Sequence, residues 1–344
     1  MVKTTSSRWV APTAAAAAAA VALASFVALT AAAPVSISRD PNAMDAGATN
    51  TPHLVKEFNS WVNSFLFSEG VFEWAGDTLG PKAAHYFLTY VRNFLGGSLL
   101  YYITAAIWHW VIYIRMGRKL FPKGMPAPAV IWDQIQLAQL STTVYAMLPV
   151  LGEFFIEEGY TRHEDVSLSR AFGVCYFHLS EVGGVVGYIL YTAVYLTCVE
   201  IGIYWMHRTL HTNKFLYKYV HALHHKYNSA ETLSPWASIA FNPLDGVLQA
   251  CPYVICLFFI PCHYYTHMVM FGFTAVWATN IHDAVPGNSE PIMGAKYHTV
   301  HHTHYHVNFG QFFTFCDQYW GTLKRPQDMR SSPEPSADAS KKAS

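Results

Sequence analysis

The chain has 344 residues, of which 52% are hydrophobic and only 13% carry a charged side chain. Soluble globular domains have about 25% charged residues, so this composition argues against a soluble protein and favours one that lies in a membrane. Lysine and arginine balance aspartate and glutamate at 22 residues each, which gives no overall charge that would favour a nucleic acid partner.

The N-terminal part of the chain holds two segments of different composition. Residues 1–33 form an alanine-rich apolar segment, which fits a cleaved signal peptide, a membrane anchor or a transit-like segment. Residues 34–90 are mixed and polar, and they predict a linker that contains one amphipathic piece around residues 58–72.

Apolar segments long enough to cross a bilayer follow, since a spanning helix needs about 20 apolar residues. They lie at residues 94–114, 137–156, 182–205 and 247–281. We therefore expect transmembrane helices within residues 91–206. Pro252 and Pro261 interrupt the last segment, which favours a hairpin that enters the membrane and returns, although a single crossing with a buried extension also fits.

The charges that flank these segments predict the orientation of the chain. Basic residues follow the first segment and acidic residues follow the second, namely Arg115, Arg118, Lys119 and Lys123, then Glu153, Glu157 and Glu158. The positive-inside rule then places the loop 115–136 in the cytosol, and the third span returns the chain to the cytosol near Trp205. The tail 326–344 is expected to be disordered, and its Lys341 and Lys342 resemble a di-lysine signal that returns membrane proteins to the endoplasmic reticulum.

Histidine is the unusual residue of this chain, because 13 of the 18 histidines lie between residues 207 and 306. Eight of them form three boxes at helical spacing: His207 and His211; His221, His224 and His225; His298, His301 and His302. Residues three and four apart project from one face of a helix, so each box should offer two or three imidazoles to one point. We therefore predict a helical metal-binding domain over residues 207–325, which includes the hairpin.

Five further histidines lie in the same half of the chain. His282 ends the long apolar segment near the expected membrane surface, and an ionisable residue at that depth is a candidate for function, here as a ninth ligand. His263 and His267 repeat the spacing of the first box but lie inside the apolar hairpin, so we expect a structural role for them. His304 and His306 follow the third box and could support the metal or face a substrate.

The number of histidines bears on the kind of metal site. Imidazole binds zinc, copper, iron or nickel, so ligand type leaves the metal open. Eight or nine histidines exceed the needs of one ion and predict two metals, each with about four or five ligands. Ligating histidines usually donate their second N–H to a carboxylate or a carbonyl. Nearby carboxylates are Asp283, Asp245, Glu200 and Asp317, and Asp283 is favoured because it adjoins His282.

The residues around the boxes resemble those of a known family. They are Gly202-Ile-Tyr-Trp-Met-His-Arg208, Thr232-Leu-Ser-Pro-Trp-Ala237, Asn242-Pro-Leu-Asp-Gly246, Asn280-Ile-His-Asp283, Tyr297-His-Thr-Val-His-His302 and Gly321-Thr-Leu-Lys-Arg-Pro326. Together with the order of the boxes, they resemble the fatty acid hydroxylase and sterol desaturase superfamily. Within it the chain is most similar to the delta-7-sterol C-5(6) desaturases, or lathosterol oxidases, of the plant and algal type, over residues 90–326.

This resemblance implies an all-α integral membrane enzyme of the endoplasmic reticulum, whose transmembrane helices carry a cytosolic histidine-box domain. It implies a non-haem di-iron centre, held by the eight box histidines and His282. With O2 and electrons relayed from NAD(P)H through cytochrome b5 and its reductase, such an enzyme desaturates a delta-7 sterol at C-5(6) in sterol biosynthesis. Some hydroxylase relatives have a further histidine four residues before His282, where this chain has Ala278, which favours a desaturase.

The sterol is expected to enter from the bilayer, between the hairpin and the third span. Candidate walls of its site are Trp236, Phe241, Trp277 and Tyr305. Alternative functions are a sterol 4-methyl oxidase, or a sphingolipid, fatty-acid or carotenoid hydroxylase of the same superfamily. A more remote alternative is a non-catalytic sterol- or metal-binding membrane protein, which the intact boxes disfavour.

Overall fold

The structure is a computed structural model that describes residues 51–117, 125–161, 175–229, 231–283 and 290–328. The predicted segment at residues 1–33 and the di-lysine end of the tail lie outside the described residues. The described part of the chain is predominantly helical, which confirms the predicted helical architecture.

Ten α-helices of five residues or more lie in the described part of the chain. In chain order they are α1 Thr51–Leu66, α2 Glu69–Leu79, α3 Pro81–His109, α4 Pro128–Tyr145, α5 Met147–Glu157, α6 Gly184–Thr212, α7 Pro243–Cys256, α8 Tyr264–Ile281, α9 Ala295–His304 and α10 Phe315–Tyr319. A π-helical turn, Trp110–Arg115, extends α3. Proline occupies the first position of α3, α4 and α7, where its missing N–H removes no helical hydrogen bond.

Residues 34–90 were predicted as a linker with one amphipathic piece around residues 58–72. From Thr51 onward the structure instead has α1, α2 and the first turns of α3, and the amphipathic piece lies within α1 and α2. Helix α1 packs against α3 and α5. It buries Val55, Asn59 and Asn63 on one face and exposes aromatic side chains on the other. The buried face carries asparagines beside its apolar residues, so the sequence of this segment reads as polar although the helix is packed.

Two helices are long and apolar enough to cross a membrane, Pro81–Arg115 and Gly184–Thr212. The first contains the predicted segment at residues 94–114, and the second covers the predicted segment at residues 182–205 from Gly184 onward. Each also directs large apolar side chains outward, with between 50% and 62% of the residue exposed: Leu99, Ile103, Ile107, Ile189 and Leu190. Such contiguous exposed apolar surface is unusual on a soluble protein.

The other two predicted segments are divided in the structure. The segment at residues 137–156 belongs to two helices, α4 and α5, which meet at Ala146. The segment at residues 247–281 divides into α7 and α8, which are joined by a turn and touch through Tyr253 and Thr274, whose hydroxyls are 2.6 Å apart. Neither pair contains a single helix that meets the length and hydropathy of a span.

Helix α7 packs against α4 and α6 and so brings the second half of the chain onto the first. The contact between α6 and α7 is close at Gly202, where a Cβ atom would lie 2.7 Å from Cβ of Pro252. A side chain at position 202 would therefore push the two helices apart.

The acidic residues that were expected to flank a span are buried in and beside α5. We call these residues and their partners the Glu153 cluster: Lys82, His85, Arg92, Asn59, Glu153, Glu157 and Glu158. Arg92 Nη2 lies 2.5 Å from Glu153 Oε2, and Lys82 Nζ lies 2.7 Å from Glu158 Oε2. Glu157 is 2.8 Å from His85 and accepts a hydrogen bond from Asn59 at 2.6 Å. These carboxylates hold helices together. They are therefore not the unpaired acidic residues on which the predicted membrane orientation of the chain partly depended.

The end of α8 that is remote from His282 is anchored by a two-residue parallel pair. Strand β1, Cys175–Tyr176, pairs with strand β2, Cys262–His263. His263 Nε2 donates to the carbonyl of Phe177 at 2.9 Å, and His267 Nδ1 lies 2.8 Å from the Tyr195 hydroxyl. Because α8 has 18 residues, it separates these two histidines from His282 by up to about 27 Å, which agrees with the predicted structural role.

Candidate metal centre

Four segments of the chain bring the nine predicted ligands together. The first box lies in the last turns of α6, and the third box lies on α9. The second box does not lie on an α-helix. It begins at the last residue of a π-helical turn, Tyr217–His221, and ends within a 3-10 turn, His224–Lys226. His282 caps the C-terminus of α8.

The nine histidines form two buried groups. Group one consists of His207, His211, His221, His225 and His301, and group two consists of His224, His282, His298 and His302. Within each group, one ring nitrogen of every residue lies within 4.8 Å of those of all the others. The groups adjoin, since the rings of His225 and His302 have centroids 4.6 Å apart.

The expectation that each box points to one place holds for the first box and is wrong for the other two. His224 and His225 belong to different groups, and His301 parts from His298 and His302. Consecutive residues on a helix project about 100° apart, so an HxxHH sequence presents two directions rather than one. Each of these boxes can therefore reach two neighbouring points.

Hydrogen bonds from the outer ring nitrogens hold four of the imidazoles in place. His207 Nδ1 donates to the Phe309 carbonyl at 3.0 Å, and His301 Nδ1 donates to the Val307 carbonyl at 2.8 Å. His282 Nδ1 donates to the Ala278 carbonyl at 2.6 Å. His221 Nδ1 lies 2.8 Å from Asp245 Oδ2 in a buried contact. Carbonyl and carboxylate oxygens only accept, so Nδ1 carries the proton in these four rings and Nε2 presents a lone pair.

The inner nitrogens face one another. In group one, His225 Nε2 is 3.1 Å from Nε2 of both His211 and His221. Nε2 of His207 and Nε2 of His301 are buried without a hydrogen-bond partner among the described residues. Buried polar atoms normally have partners, and lone pairs that converge in a dry site repel one another unless a cation lies among them. This convergence fits a metal ion better than a set of structural histidines.

In group two the same pattern recurs around His282. Its Nε2 lies 3.2 Å from Nε2 of His224 and 3.0 Å from Nε2 of His298. His302 Nε2 lies 3.1 Å from His298 Nε2. Hydrogen bonds among the rings cannot satisfy all four Nε2 atoms of group two in good geometry. One metal ion can accept the lone pairs of all four.

His225, His298 and His302, which lie outside the candidate membrane helices, are held neutral. Burial, and after it the neighbouring His301, lowers the pKa of His225 well below its usual value. Burial and His282 do the same to the pKa of His298, and burial and His225 to the pKa of His302. Neutral imidazole is the form that binds metals, so these environments favour ligation.

The carboxylate that orients a box histidine is Asp245, not the favoured Asp283. Asp245 is buried at the start of α7, and its Oδ1 accepts a hydrogen bond from Gln249 at 2.7 Å. Asp283 was favoured because it adjoins His282 in the sequence. However, His282 Nδ1 is bonded to the Ala278 carbonyl and not to Asp283.

The other two candidate carboxylates act on backbone. Glu200 accepts from the backbone N–H groups of Gln311, Phe312 and Phe313 at 3.0–3.1 Å. Asp317 accepts from the N–H groups of Phe309 and Gly310, both at 2.8 Å. Asp317 thus holds the loop whose Phe309 carbonyl orients His207.

A mostly apolar cavity opens beside both groups. Its lining includes His207 of group one and His224, His282 and His298 of group two. Helices α7 and α8 contribute small residues to its wall, among them Gly246, Ala250, Ala275 and Ala278. At Gly246 a Cβ atom would lie 2.5 Å from the Phe241 ring, so only glycine leaves that ring in place. The wall of the cavity that adjoins the histidine groups is therefore mostly apolar.

One of the four predicted wall residues lines this cavity. Phe241 does, whereas Trp236, Trp277 and Tyr305 are not among its lining residues. Trp236 packs against Tyr101, and Trp277 Nε1 donates to the Gln311 carbonyl at 2.8 Å. These two therefore brace neighbouring segments.

Tyr305 lies over His225, with ring centroids 5.0 Å apart, and Asn228 donates to its hydroxyl at 2.9 Å. Its left-handed backbone, with φ of 61°, turns the chain so that the Val307 carbonyl can meet His301. His304 Nδ1 lies 2.9 Å from the Thr303 hydroxyl, and the His306 ring is 6.4 Å from that of His211, so neither joins a group.

Several contributors were not identified from the sequence. Backbone carbonyls of Phe309, Val307 and Ala278 orient histidines, and no pattern of side chains in the sequence predicts these contacts. Gln249 could have been found, because it lies one helical turn after Asp245 in a helix that the sequence already predicted.

The family model described as "Fatty acid hydroxylase" matches residues 192–322, which include all nine histidines. The chain is 42% identical over 243 residues to a "Delta(7)-sterol-C5(6)-desaturase" of Nicotiana tabacum, covering 70% of this chain and 85% of that protein. It is 41% identical over 249 residues to a "Putative Delta(7)-sterol-C5(6)-desaturase 2" of Arabidopsis thaliana, covering 72% and 85%.

A more distant relative has a related name. The chain is 31% identical over 243 residues to a "Lathosterol oxidase" of Rattus norvegicus, covering 68% of this chain and 74% of that protein. No solved structure matches the chain.

Proposed function

The chain belongs to the family of the delta(7)-sterol C5(6)-desaturases, and on that premise we propose that it is an oxidoreductase that introduces the C-5(6) double bond into a delta-7 sterol. One observation of the structure supports this most strongly. Two adjoining groups of buried imidazoles border a single cavity whose remaining lining is mostly apolar. A polycyclic hydrocarbon that must meet a metal centre requires this combination.

The two groups suit a pair of non-haem irons, with Nε2 atoms of five histidines on one side and of four on the other. When bound, iron with O2 and two electrons supplies an oxidant strong enough to attack unactivated C–H bonds, which no side chain could provide. The nine histidines are proposed as the ligands because their inner nitrogens converge, and because four of the rings are already oriented by hydrogen bonds at their outer nitrogens.

The residues of the chain position the metal ligands and keep water away from the reaction. Asp245 and the carbonyls of Phe309, Val307 and Ala278 fix the rings that would hold the metals. The apolar lining excludes water from the reaction, which protects a reactive centre from side reactions. The choice of desaturation over hydroxylation depends on holding two neighbouring hydrogens near the oxidant, and the shape of the cavity would do that.

The same chain is proposed to span the membrane of the endoplasmic reticulum more than once. Helices Pro81–Arg115 and Gly184–Thr212 are the candidate spans, and their exposed apolar faces support contact with lipid. The positive-inside rule favours a cytosolic Arg115, so a cytosolic position for the histidine groups requires one further crossing between Arg115 and Gly184. The substrate would enter the cavity from the bilayer.

The electron supply is a separate part of the proposal. The family resemblance favours NAD(P)H as the source, with cytochrome b5 and its reductase as carriers. A desaturation that reduces O2 to water needs two electrons besides those taken from the sterol, so a donor is required by stoichiometry.

Turnover by the purified protein tests this function. The protein, loaded with iron, would be given a delta-7 sterol, O2, cytochrome b5, its reductase and NADPH. We expect a 5,7-diene, identified by the ultraviolet absorption of the conjugated double bonds and by a mass lower by two hydrogens. Omission of O2 or of NADPH should stop product formation.

The products also separate the alternatives. An oxygenated 4-methyl sterol would indicate a sterol 4-methyl oxidase, and a hydroxylated lipid would indicate a hydroxylase. Binding of sterol or metal without any turnover would favour a non-catalytic protein and contradict the proposal.

A further inference from the structure

The substrate that the proposed function implies carries its only polar group close to the reacting carbons. The hydroxyl of a delta-7 sterol is at C-3, and one ring carbon separates C-3 from C-5. When C-5 and C-6 lie at the metal centre, the hydroxyl must lie beside it, inside the same cavity. A hydroxyl buried without a hydrogen-bond partner costs free energy, so the wall near the imidazoles should offer it one.

Gln249 has the geometry of such a partner. It lies on α7 and lines the cavity. Its Nε2 donates to Asp245 Oδ1 at 2.7 Å. Because a carboxylate only accepts, this bond fixes which end of the amide is which, and Oε1 must point away from Asp245. No donor of the described residues bonds to that oxygen, so it remains available to a hydroxyl.

Gln249 is also linked to the metal centre itself. The other oxygen of Asp245 lies 2.8 Å from His221 Nδ1, and His221 belongs to group one. A group bonded to Gln249 therefore stands three hydrogen bonds away from a proposed ligand. Both Asp245 and Gln249 lie on one face of α7, which fixes their separation.

The other polar side chains of the cavity are less suited. Thr274 Oγ1 lies 2.6 Å from the Tyr253 hydroxyl and also donates to a backbone carbonyl. Ser238 Oγ accepts a hydrogen bond from a neighbouring threonine and is almost fully buried. The side-chain amide of Gln311 makes no hydrogen bond with the described residues, so nothing orients it. The Tyr145 hydroxyl also lines the cavity, but it makes no hydrogen bond with the described residues that would orient its proton. Gln249 alone among these five combines a fixed orientation with a free acceptor.

We propose that Gln249 Oε1 accepts a hydrogen bond from the C-3 hydroxyl of the sterol and thereby positions C-5 and C-6 against the metal centre. Gln249 is a positioning residue that rests on the proposed function. An acceptor at this place selects sterols with a free hydroxyl. A 3-ketone or a 3-methyl ether offers no proton and is bound less tightly.

The test measures binding to the iron-free protein, which does not depend on turnover. The dissociation constant is measured for a delta-7 sterol and for its 3-methyl ether, with the unaltered protein and with Gln249→Met, a substitution of similar shape without an amide. We expect Gln249→Met to weaken binding of the alcohol by roughly three- to tenfold, the effect of one neutral hydrogen bond, and to leave binding of the ether unchanged. With iron present, KM for the alcohol should rise by the same factor.

A matched control is Gln139→Met, on α4. Gln139 accepts from Tyr102 and donates to Ser98, and it does not line the cavity, so neither dissociation constant should change. Equal weakening of alcohol and ether by Gln249→Met would overturn the proposal, since the amide would then only shape the cavity. An alcohol-specific loss in Gln311→Met with none in Gln249→Met would overturn it as well. If the unaltered protein binds neither sterol, the proposed function itself fails, and that result is distinct from both.

Discussion

The Glu153 cluster and the two histidine groups are both polar regions buried among helices, yet they satisfy their polar atoms in opposite ways. The Glu153 side chain is 0% exposed and Arg92 is 9% exposed, and the two are paired at 2.5 Å. Each carboxylate of that cluster has a cation, a histidine or an amide against it. In the histidine groups the inner nitrogens meet only other ring nitrogens.

This difference separates a structural polar core from a site that binds something. A buried region whose donors and acceptors are matched needs no ligand, whereas converging unmatched lone pairs need a cation. One unmatched nitrogen is not enough: His267 Nε2 is also buried without a partner, but it stands alone beside Gly152. Convergence of several such atoms on one point is what indicates the metal site.

Among the variants that test this difference, His301→Ala is expected to have the largest effect. The substitution removes a nitrogen of group one, and because loss of an outer partner alone costs roughly 10–100-fold, loss of a ligand should abolish sterol oxidation. Iron content per purified chain should fall as well, while the protein still accumulates in the membrane. His304→Ala, a half-buried histidine outside both groups, is the control. Normal activity and iron in His301→Ala would contradict the metal assignment.

A second variant tests the Glu153 cluster. Glu153→Leu leaves Arg92 buried without its carboxylate, which should cost about 3–5 kcal/mol of stability. We expect a lower melting temperature and less protein in the membrane, with unchanged iron per folded chain. The double variant Arg92→Met with Glu153→Leu should recover most of the stability, since it removes both charges. If Glu153→Leu instead kept its stability and lost turnover, the cluster would have a functional role.

The smallest of these effects is expected from Asp245→Asn, which changes the surroundings of a ligand and not the ligand. An amide NH2 group cannot accept, so either His221 or Gln249 loses its partner, and His221 Nδ1 is no longer held protonated. Iron affinity or turnover should fall by roughly 10–100-fold, measured by competition with a chelator and by the diene assay. Asp133→Asn, at a half-exposed aspartate bonded to Lys226, should leave both unchanged.

Local spacing was sufficient to predict the eight box histidines, because three- and four-residue separations survive in any helical turn. His282 was predicted by its place at the end of an apolar segment, which is also a local property. The two candidate membrane helices were predicted for the same reason, since they depend only on a continuous run of apolar residues.

The sequence alone did not reveal what depends on distant contacts. Asp245 orients His221 across 24 residues of chain, whereas adjacency had suggested Asp283. The packed helix α1 was taken for a linker, because its buried asparagines face charges that lie 33 and 98 residues away.

The sequence by itself determined that this chain carries three histidine boxes, a ninth histidine and apolar helices to hold them. Only the tertiary structure decided how the nine divide, because two of the boxes split between the groups and each group draws on separate segments. It also decided which buried polar residues are already matched and which converge unmatched. The physical reason is that burial and pairing belong to the packed chain, whereas spacing belongs to a single helical turn.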